Sequence, residues 1–77
     1  MQNTTFEQRM VLLGNRLKEM RQQKHITINE LSKKSGLSAR YIKKIENGQA
    51  FNINIRHVYL LYTSLELVSI YDLLYFY

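Results

Sequence analysis

The chain has no cysteine and no proline, and only three glycines among its 77 residues. Without cysteine there is no disulfide scaffold, no zinc ribbon and no thiol nucleophile. The two histidines, His25 and His57, are too few to build a metal site on their own. The N-terminus, MQNTTFEQRM, lacks a basic segment followed by an apolar one and does not read as a signal peptide. The C-terminal stretch 58–77 is apolar but carries Thr63, Ser64, Glu66, Ser69 and Asp72, which argues against a membrane span. There is also no nucleophile–base pair and no phosphate-binding glycine loop, since Gly14, Gly36 and Gly48 fall within helices or at their ends. An enzyme, a metalloprotein and a secreted mini-protein are therefore not expected. No cofactor is expected, and the expected compartment is the cytoplasm, at the nucleoid.

What is present is a single small domain, residues 1–77, at 9.2 kDa. A chain of this size buries little more than ~60% of its unfolded surface, so it must pack tightly or lean on a partner. Its charge is unevenly placed. Residues 1–50 hold ten Lys and Arg against Glu7, Glu19, Glu30 and Glu46, a net of +6. Residues 51–77 hold Arg56 against Glu66 and Asp72, together with seven of the nine aromatics. A basic front and an aromatic back point to a polyanionic partner, nucleic acid before anionic membrane.

The apolar period is helical throughout. Met10, Leu13, Leu17, Met20 and Lys24 recur at three- and four-residue steps, which predicts a first helix from Phe6 to Gln23. Thr27 with Glu30 forms a capping box for a second helix, which stops at Gly36. Ser38 caps a third, with Ile42 and Ile45 inward and a left-handed Asn47-Gly48 pair at its end. A fourth helix starts at Asn54 and carries Ile55, Val58, Tyr59, Leu61, Tyr62 and Leu65. Ser69 with Asp72 opens a fifth. The stretches 51–55 and 67–71 alone have strand composition, and an all-α domain of five helices without linker or sensor domain is expected.

The informative segment is about 27–48. Leu31, the small Ser32, Gly36 in the turn, and then Leu37, Ile42 and Ile45 give the spacing of two helices crossing through a short turn. The third helix is left with Ala39, Arg40, Lys43, Lys44 and Asn47 on its outer side, a basic surface suited to a major groove. The segment TINELSKKSGLSARYIKKIENG resembles the helix-turn-helix core of the Cro and phage-repressor family of bacterial regulators, also called the xenobiotic-response-element family. LGNRLKEMR upstream, and INIRHVYLLYTSL and SIYDLL downstream, are similar to the family's first, fourth and fifth helices.

That resemblance implies a compact five-helix phage-repressor-like domain in which helices two and three are the motif. It implies that Arg21 pairs with Glu46 to clamp the first helix to the third, a structural role. It implies that Ala39, Arg40 and Lys44 face base edges, and that Ser38, Tyr41, Lys43 and Asn47 touch phosphates or the groove rim. Arg40 suits bidentate recognition of guanine, and Lys44 reaches the same edge as a point charge. Thr27 and nearby amides offer a phosphate site at the second helix's start. The chain departs from the family pattern at Ile28, where glutamine is usual, and at Ser32, Ile53 and Tyr62. With isoleucine at 28, the phosphate contact falls to Thr27, Asn29 or backbone amides.

The partner implied is double-stranded DNA, bound as a repressor at a short palindromic operator. Helices over 54–77, with Tyr71, Tyr75 and Phe76 off the inward stripe, are expected to form a homodimer face. The alternative is a protein-interaction module, an antitoxin or anti-regulator subunit that holds a protein partner on the same aromatic face. His25 is expected to complement the first helix's dipole, and His57 to lie on the surface.

Overall fold

A computed structural model describes residues 5–50 and 52–67 of the chain. They contain four helices: α1 (Phe6–Gln23), α2 (Ile28–Ser35), α3 (Ala39–Glu46) and α4 (Ile55–Ser64). No strand occurs among the described residues. The fifth helix expected from Ser69 lies outside them, as do Phe51, Tyr71, Tyr75 and Phe76.

Each helix begins on a side chain that takes up an orphan amide. Thr27 and Glu30 satisfy each other's backbone N–H, at 3.1 and 2.8 Å. Thr5 and Gln8 do the same for α1, a capping box that the reading of the sequence passes over. The Ser38 hydroxyl accepts from the Tyr41 amide, and Asn54 Oδ1 accepts from the His57 amide. Asn54 is thus the cap of α4 rather than its first helical residue, and the strand-like composition around it yields to that cap.

Three of the four helix ends share one geometry. After α1, α3 and α4, the second residue beyond the last helical one is left-handed, and two reversed hydrogen bonds close the turn. Only the α3 end uses glycine for this, Gly48 at φ 73°. Asn47 beside it has φ −87°, so the expected left-handed pair is a single left-handed residue, which is all the motif needs. At α1 the position is His25, φ 57°, and at α4 it is Glu66, φ 56°. Side chains resist that conformation by roughly 1–2 kcal/mol. His25→Gly is therefore expected to stabilise the fold by about 1 kcal/mol, read as a higher urea midpoint at unchanged slope. An unchanged or lower midpoint would mean that the imidazole makes a helix-end interaction worth as much as the strain.

The core is assembled from one face of each helix. Leu13 and Leu17 of α1, Leu31 of α2, Ile42 and Ile45 of α3, and Val58 and Leu61 of α4 are buried together, with Leu65 just beyond α4. Full burial of each such side chain contributes about 1.5–3 kcal/mol. Lys24, expected on the α1 stripe, is exposed as that helix's C-cap. Ile55 and Tyr59 also leave the core face of α4, at 68% and 54% exposure, because Val58, Leu61 and Leu65 already fill it. α1 packs on α3, while α2 packs on both α3 and α4. At the α1–α3 crossing, Gly14 lets the backbones approach so closely that an added methyl would overlap the Ile45 carbonyl oxygen.

Candidate nucleic-acid interface

The turn between α2 and α3 is held from both sides by serines. Gly36 takes φ 81° in open space, so glycine is needed there for its backbone freedom alone. The Ser32 hydroxyl donates to the Leu37 carbonyl at 2.6 Å, and the Leu37 amide donates to the Ser35 hydroxyl at 3.1 Å. Ser32 is therefore more than a small residue at a helix crossing. It uses its hydroxyl to fix the angle at which α3 leaves the turn.

α3 divides cleanly into two sides. Ile42, Ile45 and Glu46 are buried, whereas Arg40, Lys43, Lys44 and Asn47 are exposed at spacings that share one helical face. Ala39 is half-buried at the helix start, and Ser38 is exposed as its cap. Glu46 would otherwise offset this cationic face, but its carboxylate is turned inward to Arg21. Arg21 Nε and a terminal nitrogen donate to its two oxygens at 2.7 and 3.0 Å, and the other terminal nitrogen donates to the Ile26 carbonyl at 2.8 Å. With only 3% of the Glu46 side chain exposed, the outward surface of α3 is left with cations alone. With its side chains an α-helix is about 10–12 Å across, close to the major-groove width of ~12 Å.

Thr27 is engaged differently from the expectation of an open phosphate site. Its amide and hydroxyl hold the Glu30 carboxyl below its usual pKa range, with Lys34 and Lys33 adding to the effect. An anion at the start of α2 thus shares that end with an ionised carboxylate.

Two residues near α3 escape the reading of the sequence. A shallow cleft of about 180 Å³ at the C-terminal end of α3 is lined by Tyr41, Lys44, Gln49, Ala50 and Asn52. Gln49 and Asn52 supply amide donors there, and polar residues in the link following a basic helix were the only signal for them. His57, expected at the surface, is half-buried instead and meets the Tyr41 hydroxyl through Nδ1 at 2.7 Å. Tyr41 therefore both covers the α3–α4 junction and lines the cleft.

Among the described residues, no cluster of His, Asp or Glu could hold a metal ion, and no helix is long and apolar enough to cross a membrane. Residues 14–75 match the family described as helix-turn-helix domain. No curated protein matches the chain by sequence. Among solved structures, it is similar to the restriction-modification controller protein C.AhdI from Aeromonas hydrophila, at 31% identity and a TM-score of 0.78. That likeness covers 83% of this chain and 94% of the other. With its two-helix motif, its inward Arg21–Glu46 clamp and its basic outer face, the chain belongs to the helix-turn-helix family of DNA-binding regulators, of the Cro and phage-repressor type.

Proposed function

We propose that the protein is a dimeric repressor that reads a short palindromic operator in double-stranded DNA with α3 and acts by occupancy, without a catalytic step. The observation that carries this reading is the exposed stripe of Arg40, Lys43, Lys44 and Asn47 on the second helix of the motif. Arg40 lies near the start of that helix, where side chains enter the groove, and its planar fork fits guanine O6 and N7. Lys44 reaches base edges one turn after Arg40, and Ala39 offers a methyl at the start of the helix. Ser38, Tyr41, Lys43 and Asn47 serve the flanking phosphates, and Thr27 could add a contact across the turn only by giving up its bonds to Glu30. The site of action is bacterial nucleoid DNA in the cytoplasm. The likeness to a controller protein favours regulation over a purely architectural role.

Dimerisation is supported by the exposed Ile55 and Tyr59 on α4, with Tyr59 edge-to-face on Tyr62 at 5.6 Å. The sequence adds Tyr71, Tyr75 and Phe76, residue types favoured at interfaces. Two-fold pairing then sets the two copies of α3 about one DNA turn, ~34 Å, apart. The same apolar α4 face favours a second reading, an antitoxin or anti-regulator subunit whose partner is another protein.

Base reading and phosphate contact separate experimentally. Arg40→Ala is expected to weaken operator binding by about 1–3 kcal/mol and relax selectivity at one base pair. Lys43→Ala is expected to weaken all duplexes alike and to reduce the salt slope by about one. Titrations of operator and scrambled duplex at several salt concentrations distinguish the two. Equal losses on both duplexes for Arg40→Ala would remove Arg40 from the base-reading set.

A further inference from the structure

Tyr41 and His57 join α3 to α4 through a hydrogen bond whose direction matters for the cleft. The Tyr41 oxygen lies 2.7 Å from His57 Nδ1, and the rings meet edge to face at 5.1 Å and 77°. Asn54 caps the His57 amide, which holds the imidazole's backbone at the start of α4. On its other side, Tyr41 lines the cleft shared with Lys44, Gln49 and Asn52. The ammonium is a donor and the two carboxamides can each turn an NH2 donor inward, which suits an acceptor-only phosphodiester.

A phenol has one proton to donate, and a neutral imidazole has one proton on either nitrogen. If the ring proton is on Nε2, Tyr41 donates to Nδ1 and has only lone pairs left for another partner, which repel a phosphate oxygen. If it is on Nδ1, the ring donates to Tyr41 and the phenolic proton is released for the phosphate. Without an anion nearby, the first arrangement is favoured, because a phenol is the stronger donor and an imidazole nitrogen the stronger acceptor. Burial pushes the Tyr41 phenol above its usual pKa, so it keeps the proton on which both arrangements depend.

We propose that His57 is a positioning residue for DNA-backbone recognition: its Nδ1 accepts a hydrogen bond from Tyr41 in the free protein and donates one to Tyr41 in the complex, so that the Tyr41 hydroxyl donates to a backbone phosphate beside Lys44. One proton leaves Nε2 to solvent and one comes from solvent to Nδ1, so the ring stays neutral and Tyr41 keeps its own proton. The inference rests on the DNA-binding reading above and adds to it a residue that need not touch DNA.

The test is the tautomer of His57 in the full chain, read from two-bond proton–nitrogen spectra at mildly alkaline pH. The probe is a duplex recovered from a random-sequence pool. The expected result is an Nε2–H ring in the free protein and an Nδ1–H ring with the duplex. Tyr41→Phe is expected to abolish that exchange and to weaken binding roughly two- to tenfold. A duplex that binds while the ring keeps one tautomer throughout would overturn the proposal and leave the DNA reading standing. So would an exchange that persists in Tyr41→Phe. If no duplex is retained by the unaltered chain, the DNA reading falls and the proposal falls with it.

Discussion

Arg21→Leu is expected to destabilise the fold by about 3–5 kcal/mol, the range for a buried carboxylate that loses its cation. The guanidinium holds both oxygens of Glu46, whose side chain is 3% exposed, and the Ile26 carbonyl in the turn after α1. Its removal strands a charge and opens the turn in which His25 is already held left-handed. For a chain of this length, whose total stability is on the order of 4–11 kcal/mol, that loss takes from about a quarter to all of it. The double variant Arg21→Leu/Glu46→Leu is expected to be more stable than Arg21→Leu alone, because two apolar side chains leave no buried charge. Urea titrations of the two single variants and the double variant measure this coupling. Additive losses would show that Glu46 gains little from Arg21.

Gly14→Ala is the second large effect, and its sign runs against helix propensity. On an isolated helix the substitution is worth up to about 1 kcal/mol in favour of alanine. Here the new methyl would overlap the Ile45 carbonyl oxygen and come within 3.1 Å of the Glu46 carbonyl group, both rigid backbone. α1 must then move off the end of α3, at a cost of about 1–3 kcal/mol or more, and the Arg21–Glu46 pair stretches with it. A net loss of about 2 kcal/mol or more is expected, visible as a lower thermal midpoint. A gain in stability would mean that the α1–α3 crossing is looser than its geometry indicates.

What the sequence makes legible is what is decided locally. Thr27 with Glu30, Ser38 and Gly36 act within a turn of the chain, so the bounds of α2 and α3 can be read from residue types and spacing alone. The inward Leu31, Ile42 and Ile45 follow from period. The left-handed His25 and Glu66 are not legible, because neither residue type favours that conformation and the packing of the next segment imposes it. Gly14 reads as an ordinary helical residue, and only the distant α3 backbone explains it. His57 and Tyr41 stand 16 residues apart, and nothing in either neighbourhood announces their contact. In the candidate site, the basic stripe of α3 is visible in advance. The Ser32 hydroxyl, the cleft with Gln49 and Asn52, and the engaged Thr27 all depend on how the turn places α3 beside its neighbours.

The central claim is that α3 reads sequence in double-stranded DNA. The most direct measurement is a binding selection from a random duplex pool at near-physiological salt, with sequencing of the retained fraction. An enriched inverted repeat, with half-sites about one helical turn, ~34 Å, apart, is the expected result. Retention without a motif would contradict sequence reading and leave only charge-driven binding. No retention at all would contradict the DNA interface and favour the protein-interaction reading of the α4 face.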